Sequence, residues 1–224
     1  TDKKHTTMKY SDIYRLYSTS QPKDAIHQAL REVPVDDSDE QYEDRSPLHL
    51  ACQYGDTEGV KILLERDAEP NTKDANGSTP IHILGRTSAG CADEDKLKEI
   101  AVMLIEQGAN IPRSAKNTTA LIECIRNRHF KMAEAIIDSG ARVNSTDLNG
   151  ENVLFGFCAA SGDIRRDIRF AKKELDESVQ YRYPENKIEE IRSRIARLED
   201  DGETAYRLAR RLVEEDKADP EDKS

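Results

Sequence analysis

The chain has 224 residues, of which 34 are basic and 44 acidic, for a formal net charge of −10 and a pI near 5.1. Such an acidic surface repels phosphate backbones, which argues against nucleic acid as the main partner, and no apolar run of 18 residues is present to span a membrane. Hydrophobic residues make up 36% and charged residues 35%, a balance that suits an elongated repeat array better than a compact globule.

No signal or transit peptide is visible, and the first residue is Thr1 rather than Met, which fits a processed form and an excised piece equally. In residues 1–41, the stretch "DIYRLYSTSQPKDAIHQALREVPVDD" reads as a degenerate pair of helices. Ala25, Ile26, Ala29 and Leu30 give its second helix an apolar face, and the pair is expected to cap the amino end.

A repeat then begins. Ser46-Pro47-Leu48-His49 returns 33 residues later as Thr79-Pro80-Ile81-His82, then as Thr119-Ala120-Leu121-Ile122 and Asn152-Val153-Leu154-Phe155. A hydroxyl residue followed by proline starts a helix, because the hydroxyl can cap free N–H groups and proline suits the first turn. Gly55 ends the first short helix, and a second begins near Thr57. The second helices carry apolar stripes at helical spacing: Val60, Ile62, Leu63, Leu64; then Ile100, Met103, Leu104, Ile105; then Met132, Ala133, Ile136, Ile137. Asp67, Gly108 and Gly140 stand where a left-handed residue closes a helix. Asp74–Gly77 and Asp147–Gly150 read as tight turns. The second interval, from Thr79 to Thr119, lengthens to 40 residues, with the excess near "RTSAGCADED", a small, polar, acidic stretch expected to be a surface loop.

These features resemble the ankyrin repeat family, whose signature T-P-L-H-x-A is closely matched by Ser46-Pro47-Leu48-His49-Leu50-Ala51. The resemblance covers about residues 42–160. It implies an all-α solenoid of about five stacked helix-turn-helix units with short hairpin-like turns. The expected division is an N-terminal segment with the capping repeat at 1–41, repeats at 42–162, a helical insertion within the last repeat at 163–204, and the last helix with an acidic tail at 205–224. In the insertion, Ile164, Ile168, Ala171, Leu175 and Val179 suggest one amphipathic helix. Pro184 marks a break, and Ile188, Ile191, Ile195 and Leu198 suggest a second helix at heptad-like spacing. This segment is expected either to cover the apolar end of the stack or to dock a partner.

Candidate chemistry is sparse. His49 and His82 invite a metal reading, but they occupy equivalent positions on neighbouring helices, which pack roughly 8–10 Å apart, whereas zinc ligands lie near 2 Å from the ion. The family resemblance gives this histidine a structural role near the helix start. No phosphate-binding glycine loop, nucleophile elbow or zinc-protease motif is present, so no catalytic residue, metal or cofactor is expected. Cys52, Cys91, Cys124 and Cys158 form no C-x-x-C pair, and three of them fall in apolar stripes, which points to reduced thiols in the cytoplasm or nucleus.

The resemblance implies non-catalytic protein binding, as an adaptor, scaffold or inhibitor-like regulator, through turn tips and the exposed side of the first helices. Carried onto this chain, the partner-binding residues are Tyr42, Glu43, Arg45, Gln53 and Tyr54; Asn76, Ser78, Arg86 and Thr87; Lys116, Thr118, Arg126 and Asn127; and Leu148, Asn149 and Glu151. Arg45, Arg86, Lys116 and Arg126 within an acidic protein suggest a partner with an acidic segment, anchored near Tyr42 and Tyr54. The chain alone is expected to be monomeric. The alternatives are a regulatory or targeting domain of a larger enzyme, channel or transcription regulator, and a secreted bacterial effector that engages host proteins.

Overall fold

The computed structural model describes residues 8–87, 93–110, 119–141, 153–181 and 184–218. Its regular structure is helical, and the chain divides into two compact units, Thr1–Gly150 and Glu151–Ser224.

Among the described residues the first unit holds four helix pairs: α1 (Tyr10–Ser18) with α2 (Lys23–Glu32), α3 (Pro47–Gln53) with α4 (Thr57–Leu64), α5 (Pro80–Gly85) with α6 (Glu94–Glu106), and α7 (Ala120–Arg126) with α8 (Phe130–Asp138). First helices pack on first helices in the order α1, α3, α5, α7, and second helices on second helices in the order α2, α4, α6, α8. Local chemistry sets the ends. Ser46, Thr79 and Thr119 are extended residues at the N-caps of α3, α5 and α7. The Thr119 hydroxyl accepts the Ile122 N–H at 3.2 Å, and Pro47 and Pro80 open their helices as expected. The expected left-handed residues are present at Asp67, Gly108 and Gly140, with φ of 62°, 84° and 82°.

Leu48, Leu63, Ile81, Leu84, Leu97, Ile100, Leu104, Leu121, Ile125 and Ile136 are fully buried between these layers. Each such side chain contributes about 1.5–3 kcal/mol on burial. Two stripes shift from expectation. Met103 and Ile105 are half-buried while Leu97 and Ala101 complete the inner face of α6, and Ala25 is exposed on α2. At Gly85 a Cβ would stand 3.2 Å from both the Ala120 carbonyl and the Cys124 Sγ, so α5 and α7 meet there at glycine distance.

The second unit is formed by α9 (Val153–Gln180) and α10 (Glu185–Ala218), with Pro184 between them. The expected boundaries at 162/163 and 204/205 fall inside these helices, which continue through them. The seven-residue step explains the continuity. Phe157, Ile164, Ala171 and Ser178 line α9, and Ile191, Leu198, Ala205 and Leu212 line α10, all buried except the half-buried Leu198. The helices are antiparallel: the Gly202 position approaches Ile164 Cγ2, Lys172 Nζ pairs with Glu199 Oε1 at 2.7 Å, and Arg194 pairs with Glu174. Val179, expected to face inward, is 53% exposed, because the step of seven from Ala171 lands on Ser178. Cys158 is likewise exposed rather than part of the buried stripe.

Candidate partner-binding surface

The signature residues of the repeat form a set of pins. His49 Nδ1 accepts the Ser46 N–H at 3.1 Å and lies 2.9 Å from the Ser46 hydroxyl, so its Nε2 carries the hydrogen and donates to the Ser78 carbonyl at 3.0 Å. One ring thus closes its own helix start and ties it to the next turn. Burial holds the His49 imidazole below its ordinary pKa, partly offset by the Ser78 carbonyl. His82 repeats the local contact, with Nδ1 2.8 Å from the Thr79 hydroxyl. His129, also buried, reaches Glu94 Oε1 and the Thr87 carbonyl, both at 2.6 Å. His27 contacts both Asp56 oxygens at 3.0 Å, and Asp56 also accepts the Tyr17 hydroxyl at 2.7 Å. The imidazoles of His27, His49 and His129 thus join successive repeats.

The turn after the second helix is built on Asp74. Its Oδ1 accepts the N–H groups of Asn76 and Ser78 at 2.9 and 2.8 Å, and Gly77 takes φ of 69°. Successive tips are linked where the Ala75 N–H donates to the Glu43 carbonyl at 2.8 Å.

Against this frame the expected binding residues separate. Tyr54 and Arg126 are exposed, as is Glu43, while Tyr42, Gln53, Asn76 and Asn127 are half-buried. Ser78 and Thr87 are buried and cannot offer their side chains to a partner, which corrects the expectation for both. Ser78 is enclosed because its carbonyl serves His49 and its hydroxyl accepts from Arg86 at 3.0 Å. Thr87 is enclosed where its carbonyl serves His129. Lys116, Thr118, Leu148, Asn149 and Glu151 lie outside the described residues.

The cationic face is also altered. Arg45 donates to Gln53 Oε1 at 2.9 Å and Glu43 Oε2 at 2.6 Å, and its Nε stands 3.6 Å from the fully buried Asp74 carboxylate. Arg86 pairs with Glu123 Oε1 at 3.3 Å. Two of the four cations that suggested an acidic partner are therefore neutralised within the chain. Asn127 donates to the Gly85 and Glu123 carbonyls, at 3.0 and 2.9 Å, and holds α7 against α5.

What the sequence reading did not identify is the part played by α1. Tyr14 packs on Tyr42 with ring centroids 4.3 Å apart, Tyr10 lies 5.6 Å from Tyr42, and Tyr17 stacks on Tyr54 at 4.8 Å. Burial, and then the neighbouring Tyr14, push the Tyr54 phenol above its ordinary pKa. The spacing of Tyr10, Tyr14 and Tyr17 at i, i+4 and i+7 was the available signal. A shallow groove of about 360 Å³ runs between α1 and the tip, bordered by Asp12, Tyr14, Arg15 and Tyr42.

A family model described as ankyrin repeats (many copies) matches residues 29–84. The chain is 38% identical over 69 residues to a transient receptor potential cation channel subfamily A member 1 homolog of Caenorhabditis elegans, covering 31% of this chain and 6% of that protein. It is 30% identical over 133 residues to human neurogenic locus notch homolog protein 1, covering 59% of this chain and 5% of that protein. It is 29% identical over 124 residues to the ankyrin repeat protein nuc-2 of Neurospora crassa, covering 54% of this chain and 10% of that protein. The chain thus spans a tenth or less of the length of these curated relatives.

Proposed function

We propose that this chain, which is built of ankyrin repeats, is a non-catalytic protein-interaction module that engages a partner through its first helices and turn tips. One observation carries the reading. Positions that recur between copies are buried and hydrogen-bonded, as at Ser46 and Thr79 or His49 and His82. Positions that differ between copies lie at the outer ends of the first helices and at the tips: Tyr42 against Ala75, and Gln53 against Arg86 and Arg126. Constant residues hold the stack, and variable ones are left to select a partner. Tyr42, Glu43, Gln53, Tyr54, Asn76, Arg86, Arg126 and Asn127 are the described members of that surface; Lys116, Thr118, Leu148, Asn149 and Glu151 complete it by sequence equivalence. The buried thiols of Cys52 and Cys124 favour a reducing compartment, cytoplasm or nucleus. Ankyrin repeats act in general as interaction modules, and among the described residues no helix is long and apolar enough to cross a membrane.

The test is affinity capture from the native cell with wild-type chain and with Tyr54→Ala/Arg126→Glu, whose melting temperature is measured in parallel. Loss of a partner at unchanged melting temperature supports the reading. Retention of every partner sinks this surface as the binding face. A second reading, a regulatory or targeting segment of a longer protein, is favoured by the small share of its relatives that the chain spans. Sequencing the native transcript decides it.

A further inference from the structure

We infer that the tyrosine strip between α1 and the first tip is a docking site for an extended, arginine-bearing basic segment of a partner protein; this rests on the interaction-module reading and names the chemistry of its partner. Three observations converge on it.

The first is the strip itself. Tyr42 packs on Tyr14 and Tyr54 stacks on Tyr17, and Tyr14 and Tyr17 stand three residues apart on α1, so the two ring pairs lie side by side along one helix. Tyr54 remains 42% exposed, and Tyr14 and Tyr42 are half-exposed beside the groove. Open tyrosine faces attract cations through the ring quadrupole, and a guanidinium stacks there while keeping its N–H fork free for other acceptors.

The second is unused hydrogen-bonding capacity. The Tyr17 hydroxyl is engaged by Asp56. The hydroxyls of Tyr14, Tyr42 and Tyr54 have no hydrogen-bond partner among the described residues. They can serve the free N–H and C=O groups of an extended peptide.

The third is charge. Between Tyr10 and Asp56 the chain carries ten acidic and four basic residues. Arg45, at the centre, is already matched by Glu43, Gln53 and Asp74, and Arg15 faces Asp12 at 3.6 Å. The exposed Asp36 and Glu40, and the half-buried Asp44, make no side-chain hydrogen bond or ion pair among the described residues. An acidic segment meets repulsion here; a basic one is steered in. Glu40 and Asp44 stand two residues to either side of Tyr42 in the chain, and an aromatic face with unmatched carboxylates near it selects arginine over lysine, because one planar group can stack and donate at once.

The probes are twelve-residue Gly/Ser peptides bearing four Arg, four Lys or four Glu, and a neutral proline-rich peptide of equal length. Each is titrated into the full 224-residue chain by fluorescence anisotropy at low and high salt. The arginine peptide is expected to bind saturably, more tightly than the lysine peptide, and to weaken with salt. Tyr14→Ala/Tyr54→Ala should cut its affinity about tenfold, while Tyr14→Phe/Tyr54→Phe, which keeps the rings and controls for folding, should stay within about threefold. Asp36→Asn/Glu40→Gln should weaken binding and flatten the salt dependence. The inference is overturned if the glutamate or proline-rich peptide binds as tightly as the arginine peptide. It is overturned equally if no peptide saturates, or if the alanine variant melts normally and binds as wild type does. Should it fail while Tyr54→Ala/Arg126→Glu still loses its captured partner, the module reading stands and only the basic-segment chemistry falls.

Discussion

The array of α1–α8 and the hairpin of α9 and α10 are both made of paired helices, yet different forces hold them. The array buries polar side chains and gives them partners in a neighbouring repeat: His49 to Ser78, His129 to Thr87, Asp56 to His27 and Tyr17. The hairpin buries a periodic seam of apolar and small residues, such as Ile164, Ala171, Ile191 and Ile195, and places its ion pairs at the surface. Short helices of six to thirteen residues cannot stand alone, so the array depends on non-local bonds that fix one register between units. Long helices of 28 and 34 residues carry their own backbone bonds and need only a regular seam. The array is therefore specified by polar geometry, the hairpin by spacing.

The largest expected effect is at the shared core of the array. Leu84→Ala, in α5, should cost about 3 kcal/mol by removing a fully buried side chain. In hydrogen exchange, amides of α3, α5 and α7 should lose protection together while those of α10 change least; equal loss everywhere would dissolve the contrast between the two regions. Next comes the pin itself. His49→Ala should cost about 2 kcal/mol, since it strips hydrogen bonds from the buried Ser46 N–H and the Ser78 carbonyl. Denaturant melts measure it.

That histidine also gives the array a pH signature. Its folded-state pKa is lowered from 6.5, chiefly by burial. Above the unfolded value neither state binds the proton, so stability is unaffected there. As pH falls below about 6.5, the unfolded chain takes up a proton that the folded chain refuses, and stability declines until the folded value is reached. Melting temperatures between pH 7.5 and 5 should fall more steeply for wild type than for His49→Gln. Parallel slopes would remove His49 from the account.

Smaller effects belong to the hairpin. Ile195→Val should cost about 1 kcal/mol, read as faster exchange in α9 and α10 with α3 and α5 unchanged. Lys172→Ala, which breaks an ion pair whose side chains are 56% and 52% exposed, should cost less than about 0.5 kcal/mol and vanish in high salt. A larger loss would mean that surface charge, rather than the seam, holds the hairpin.

Much of this was written locally. The interval of 33 residues, the proline-opened helices and the left-handed ends at Asp67, Gly108 and Gly140 follow from residues within a few positions of one another, so sequence alone determined the helix pairs and their kind of stacking. The helical heptads around Ile188–Leu198 were legible too, although their continuation through 162/163 and 204/205 was not, because a seam is defined by the partner helix that covers it. The binding surface was the least legible. Arg45 and Arg86 look free in sequence, yet their partners Asp74 and Glu123 sit 29 and 37 residues away. Tyr14 looks like one residue of a weak capping helix, yet it lies against Tyr42 in the next unit. Periodicity reports which side of a helix faces inward; only the stacked structure decides which outward charges are already matched and which aromatic faces are left open, because both depend on distances between repeats.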